Sequence, residues 1–460
     1  MFTRATYMIF YRKLFNINYF FIFLLAFWGS YYIPPMQSPD ENQHIARAYL
    51  LSQGDIFLSH IPEKMSGGYI DNGLYNFIQD GMLISGSPEK KFTHERKKEL
   101  EQIRWSRNDD KTYLEIPGTG YYLPLIYIPH AFAMSFGKLI DLSIFDTYRF
   151  IKFFIITISL SLTFYAFSIY RPSTAILGLI VLPMSTFQLL SPTLDGFTTS
   201  ICLLIISIFL KFQTKNNNSS LFYILSILVV LISTTRIHLI SMVILLFLIS
   251  FQTKNKRFTY ISILSTFFSF SWILFSIKNT VDTRVPRSLS SIESIYHYLL
   301  HPLDFIKIFS NTISNYNMLK FYGESFIGKL GWLDTPLSFN HYIILFLTLL
   351  LLFALSLNSP SHEANNRIAR LSFLLIAGTS FFTIFTALLV SWTPLSAEVI
   401  HGVQGRYFII PCILLAYSLH GILATGSRWM LITNHFVFYL FFSFSLYSLL
   451  SAINNRFYIN

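Results

Sequence analysis

The chain has 460 residues, 53% of them hydrophobic, 18% aromatic and only 12% charged. A soluble domain carries about 25% charged residues, so the composition excludes an ordinary soluble fold and predicts a polytopic membrane protein. The net charge of +11 does not indicate nucleic acid, because the basic residues sit in short loops between apolar runs, the positive-inside pattern.

Two cysteines, Cys202 and Cys412, lie within apolar runs and supply neither a disulfide framework nor a metal cluster. The 48 phenylalanines are abundant even for a membrane protein, and the sequence attaches no function to the excess.

Residues 1–17 carry Arg4, Arg12 and Lys13 without acids and are expected in the cytoplasm. Asn18 to about Pro34 forms a first span that stays as an anchor, since no small-residue cleavage site follows it. A polar segment, roughly 35–118, is expected outside. It opens with Ser38-Pro39-Asp40-Glu41-Asn42-Gln43-His44, which sets two carboxylates and a histidine at a membrane–water boundary. Asn42 to Gln53 then shows helical spacing and predicts a juxtamembrane helix, with Asp40 and His44 on one face. A plainer reading is also open: Pro39 ends the span, Asp40 caps the helix and His44 is solvated.

Residues 119–139 are apolar but broken by Pro124 and Pro129. A full crossing there would invert every later loop and put the basic loops outside. The segment is therefore read as re-entrant, with both ends outside. Its His130 is read as a packed core histidine. Spans then follow near 148–170, 172–190 and 192–212. Residues 221–252 form a helical hairpin with Arg236 at its tip, and 258–277 runs outward again. A second outer loop covers 278–340. The remaining spans fall near 341–358, 371–392, 406–425 and 429–452. The expected fold is an all-α polytopic membrane protein of about eleven helices plus the re-entrant segment, with two large outer loops. It divides into a cytoplasmic N-terminus (1–17), a first transmembrane module (18–277), the second outer loop (278–340) and C-terminal helices (341–460).

Every unusual polar group falls on the outer side of this topology. These groups are Asp40, Glu41 and His44, Arg149 beside Asp146, Asp195 after a Ser-Pro break, Arg236 with His238, Lys329, Asp334, and Gln404, Arg406 and Tyr407 in Gly402-Val403-Gln404-Gly405-Arg406-Tyr407. Acids and bases converging on one face predict a polar cavity. Arg149 has a local alternative in Asp146 or a lipid phosphate, and Asp195 has one as a helix cap. Asp40 and His44 lie four residues apart, but no third ligand accompanies them, so no metal or other cofactor is expected. Arginines suit a phosphate, and a carboxylate suits a hydroxyl proton. Together they fit glycosyl transfer from a polyprenyl phosphate sugar.

The run Pro39 to Gly54 resembles the first outer loop of the GT-C membrane glycosyltransferases. The chain resembles in more detail the bacterial membrane-protein family labelled domain of unknown function 2142. The matching pieces are Pro39-Asp40-Glu41 with His44, Ser191 to Gly196, Gly331-Trp332-Leu333-Asp334-Thr335 and Gly402 to Tyr407, in family order. The resemblance implies an inverting hexosyltransferase of the bacterial inner membrane, with its active site on the outer face. The implied donor is a polyprenyl (undecaprenyl) phosphate sugar, and the implied acceptor is an O-antigen or another lipid-linked or surface polysaccharide. Asp40 maps onto the base, with Glu41 beside it. Arg236, Arg406, Arg149 and Lys329 are the donor-phosphate candidates. His44, Asp195, His238, Asp334, Gln404 and Tyr407 are the cavity candidates. One departure stands out. Lipid A aminoarabinose transferases carry Lys-Pro ahead of the segment matching 119–139, where this chain has Ile116-Pro117-Gly118-Thr119-Gly120.

A flippase of lipid-linked sugars is the alternative from another class. It predicts inverted repeats and midplane sites, whereas the polar groups here concentrate on one side without a repeat. An O-antigen polymerase or ligase, using diphosphate-linked donors, is a further enzyme reading.

Overall fold

A computed structural model describes residues 24, 27–106, 110–214, 218–358, 367–423 and 428–459. The N-terminus read at 1–17 and most of the first span lie outside these residues. Six helices among them are long and apolar enough to cross a membrane: α5 (Ile144–Ile169), α8 (Leu194–Phe212), α11 (Lys256–Asn279), α15 (Phe339–Leu357), α16 (Arg367–Trp392) and α18 (Arg428–Phe457). Composition and these apolar helices make this a membrane protein built mainly of helices. Helix α8 lies at its centre, with 83% of its apolar window buried.

Other predicted spans are shorter or broken. The stretch 172–190 is two short helices, α6 (Thr174–Ile180) and α7 (Pro183–Leu189), because Pro183 removes an amide donor and restarts the helix. The hairpin 221–252 is α9 (Ser219–Thr235), a 3-10 turn (Ile237–Met242) and α10 (Val243–Thr253), with Arg236 at the break. The span near 406–425 is a 3-10 turn (Gly405–Phe408) and α17 (Ile409–Leu419). Residues 117–139 form two 3-10 turns and α4 (Ile128–Leu139). At 1.5 Å per residue α4 is about 18 Å long. Both of its ends meet the first polar segment: Tyr127 bonds His44, and Leu142, just beyond α4, accepts from the Trp105 indole at 3.0 Å.

Both polar loops are folded. The first holds α1 (Glu41–Ser52), a two-stranded antiparallel ribbon of β1 (Gly67–Asp71) and β2 (Lys111–Glu115), and helices α2 (Asn72–Met82) and α3 (His94–Gln102). The all-α expectation missed this ribbon. Asp71 ends β1 and caps α2, accepting from Gly73 and Leu74 amides at 2.9 and 3.1 Å. The second loop is three helices, α12 (Ser291–Leu300), α13 (Pro302–Ser314) and α14 (Tyr316–Ile327). A separate apolar cluster joins them to α16, with Phe305, Phe309 and Phe385 in ring contact. Part of the phenylalanine excess thus serves to seat this loop.

The bundle has two unlike ends. At one, the α8 and α10 termini meet through Gln213 and Gln252, Phe209 packs on Phe373, and Arg370 donates to the His420 carbonyl at 2.8 Å. This end collects Arg171, Lys211, Lys254, Lys256, Arg257, Arg367 and Arg370. At the other end lie both folded loops. The asymmetry predicts that the basic end faces the cytoplasm. In intact cells, a cysteine replacing Lys256 should escape an impermeant thiol reagent, and one replacing the exposed Glu63 should be labelled. The opposite labelling would invert the orientation.

Candidate functional site

The loop-bearing end gathers four charged side chains from four distant segments. Asp195 takes one arginine on each side. Arg236 bonds Asp195 Oδ1, and Arg406 Nη1 bonds Asp195 Oδ2 at 3.0 Å. Arg406 Nη2 then reaches Asp40 Oδ2 at 3.5 Å.

Local sequence explains each placement. Asp195 opens α8, where an acid is favourable beside the helix N-terminus. The following residue must be glycine: a Cβ on Gly196 would lie 2.6 Å from Leu189 Cα. This close approach of α7 sets Gln188 Nε2 on Asp195 Oδ2 at 3.2 Å. Arg236 occupies the break after α9, so its guanidinium extends from a helix end; it lies 5.8 Å from the Tyr122 ring centre. Arg406 follows Gly405, whose Cβ would fall 2.0 Å from the Tyr322 carbonyl oxygen. The Gly405 amide donates to Ser325 Oγ at 2.8 Å, so α14 of the second loop sets the position of Arg406.

Asp40 and Glu41 have opposite fates. Asp40 sits at the N-cap of α1, yet its backbone is left-handed, with φ 61°, and its side chain makes no capping bond. Glu41 instead ties down the chain that leads into α1. Its Oε2 accepts from the Ser38 amide at 2.9 Å, its Oε1 from the Met36 amide at 3.2 Å and from the Tyr148 hydroxyl at 2.5 Å. Glu41 is fully buried, and burial raises its carboxyl above the ordinary range. Both oxygens of Glu41, the second candidate catalytic acid, are engaged in holding the chain entry to α1. The capping reading of Asp40 is corrected. Its side chain is 43% exposed and, among the described residues, bonds only Gln43 Nε2 at 3.3 Å and Arg406.

His44 lies beside the cluster, with Nδ1 hydrogen-bonded to the Tyr127 hydroxyl at 2.7 Å and its ring stacked near Tyr122. Burial lowers its pKa to about 3, so the imidazole is neutral. His238 feels both Arg236 and Asp195. Tyr407 lies beneath the Arg406 guanidinium, 5.3 Å from ring centre to Cζ. Gln404 Oε1 and Arg406 Nε are buried without hydrogen-bond partners among the described residues.

Three expected site residues are elsewhere. Arg149 is 3.9 Å from Asp146 and stacks over Tyr31. Lys329 pairs with Glu324 at 3.9 Å. Asp334 binds Arg456 at 2.7 Å and the Gly86 amide at 3.1 Å. None of the three reaches the cluster. Tyr122, Tyr127 and Gln188 were not anticipated, because tyrosine and glutamine in apolar runs raise no charge signal. Lys152 was also missed, although a lysine inside a span is one. It donates to the Ser30 and Ile33 carbonyls at 2.7 and 3.1 Å. His130 packs edge-on against Tyr127 and Phe197. Among the described residues no three His, Cys, Asp or Glu side chains group as a metal site.

The fold and this buried polar end define a polytopic helical membrane protein with a charged cluster at one end of its bundle. The chain belongs to the family described as predicted membrane protein (DUF2142), which matches residues 21–416. No curated protein and no solved structure matches it.

Asp334→Ala should leave Arg456 buried without its carboxylate and cost about 3–5 kcal/mol, read as lost thermal stability in detergent. His44 predicts an acid limb. Its folded pKa lies below its unfolded value of 6.5, so the unfolded chain binds more protons between those values. Stability should therefore fall as pH drops from about 6.5 toward 3, and His44→Gln should flatten that slope in melting curves.

Proposed function

We propose that the protein is a membrane glycosyltransferase of the GT-C type, an inverting hexosyltransferase that moves a sugar from a polyprenyl phosphate to a lipid-linked or surface glycan. In this reading the chain crosses the bacterial inner membrane about eleven times with its N-terminus in the cytoplasm. The broken elements α6–α7, α9, α10 and α17 count among the crossings, and the charged cluster faces outward.

The observation that carries the reading is the contrast between two acids at the cluster. Asp195 is held between Arg236 and Arg406, with only 14% of its side chain exposed. Asp40 stands beside the same arginine, released from capping and open to solvent. A left-handed aspartate is tolerated at about 1–3 kcal/mol, and such strain concentrates where it orients a working group.

The roles follow. Arg236 and Arg406 receive the donor phosphate, with Arg406 Nε uncommitted and Arg406 Nη2 engaged only by its 3.5 Å contact to Asp40. Asp195 fixes the two guanidinium planes relative to each other. Asp40 takes the proton of the acceptor hydroxyl as its oxygen attacks the anomeric carbon. The bond from that carbon to the phosphate oxygen breaks on the opposite face, and the charge left on phosphate is held by the arginines. His44, His238, Tyr122 and Tyr407 flank the cluster without supplying a carboxylate as open to solvent as Asp40.

The test is Asp40→Asn. Asparagine adopts the left-handed conformation as readily, and no capping bond is lost, so stability should be unchanged. Turnover of polyprenyl phosphate hexose with a lipid-linked acceptor, followed by mass spectrometry, should fall about 10²–10⁴-fold while donor binding persists. Asp40→Glu should recover only part. Near-normal turnover by folded Asp40→Asn protein would remove Asp40 as the base.

A further inference from the structure

A cavity of about 340 Å³ opens between residues 27–30 and α5. None of the four charged side chains of the cluster lines it. Three cations line it: Lys97 and Arg149 at its rim and the buried Lys152 at its floor. No carboxylate lines it among the described residues. The acids nearest the rim cations are poor competitors. Asp146 lies 3.9 Å from Arg149 with 54% of its side chain exposed, and Glu101 lies 3.7 Å from Lys97 with 41% exposed. Exposed pairs of this length contribute little, so another anion can replace them at small cost.

The rest of the wall is aromatic, and it is arranged along the helix. Arg149 stacks over Tyr31, its Cζ 4.6 Å from the ring centre, which holds the guanidinium plane while its edge donors face outward from the ring. One turn further along α5, Phe153 meets Phe27 edge-on at 4.9 Å. The cavity therefore changes from cationic to apolar over about 6 Å. A small inorganic anion would use only its upper part.

We propose that this cavity binds the phosphodiester headgroup of an anionic phospholipid, with the phosphate at Arg149 and Lys97 and the first part of a chain against Phe27 and Phe153. Lys152 contributes a fixed positive floor while remaining bonded to the Ser30 and Ile33 carbonyls. The site does not depend on the transferase reading. It assigns Arg149 to a lipid at the bundle's flank instead of to a sugar donor.

Native mass spectrometry of the purified full chain in a nonionic detergent tests this. Phosphatidylglycerol should be retained in preference to phosphatidylcholine. The double variant Arg149→Gln/Lys97→Gln removes two interfacial cations and should weaken phosphatidylglycerol binding on the order of 30-fold. Both side chains are partly exposed, so the melting temperature should hold; should it drop, the single variant Arg149→Lys gives the same test, since it keeps the charge and loses the stacked fork. Equal retention of the two lipids would overturn the proposal, as would undiminished phosphatidylglycerol binding in the variants. Inorganic phosphate that displaces phosphatidylglycerol at equal concentration would also overturn it, by making free phosphate the ligand.

Discussion

Two arginines buried at the end of an apolar bundle require anions, and that requirement organises the polar end of the molecule. A guanidinium cannot shed its charge, so burial demands a carboxylate within bonding distance. Asp195 satisfies Arg236 and Arg406 together. It does so only because α7 approaches α8 closely enough to exclude a side chain at Gly196, and because α14 meets the turn before α17 with no side chain at Gly405. The charges therefore depend on backbone packing, and four segments separated by as many as 366 residues are drawn together.

The same end shows how three acids acquire three duties from their surroundings. Glu41 is fully engaged by amides and a tyrosine hydroxyl, and holds the entry to α1. Asp195 is engaged by two arginines and a glutamine. Asp40 retains unoccupied lone pairs, because its side chain makes no capping bond to α1. Adjacent positions in sequence thus differ more in environment than positions over a hundred residues apart.

Much of this was legible beforehand. Asp40, His44, Asp195, Arg236, His238, Arg406 and Tyr407 were all picked out, since charged or polar groups interrupting apolar runs are costly and so conspicuous. The long helices followed from hydropathy in the same way. What sequence could not show was pairing. Lys329 looks like a phosphate ligand until Glu324 is seen beside it. Asp334 looks like a cavity acid, but its partner lies 122 residues further on. Tyr122 and Tyr127 are two of 27 tyrosines and carry no distinguishing signal. The ribbon of β1 and β2 was hidden because its strands are short and 40 residues separate them.

The turn at Gly331–Thr335 ties together parts made at very different times. Trp332 donates to the Met36 carbonyl at 2.9 Å, and Asp334 holds both the Gly86 amide and Arg456. Arg456 also reaches the Lys90 and Ile84 carbonyls at 3.0 and 2.5 Å. During synthesis Ile84 and Lys90 emerge 372 and 366 residues before Arg456. Until α18 is in place, the carbonyls of Ile84 and Lys90 and the carboxylate of Asp334 lack this partner. The first loop to be made is thus among the last to be secured, and its early life depends on waiting in a partly assembled state rather than on folding in order of appearance.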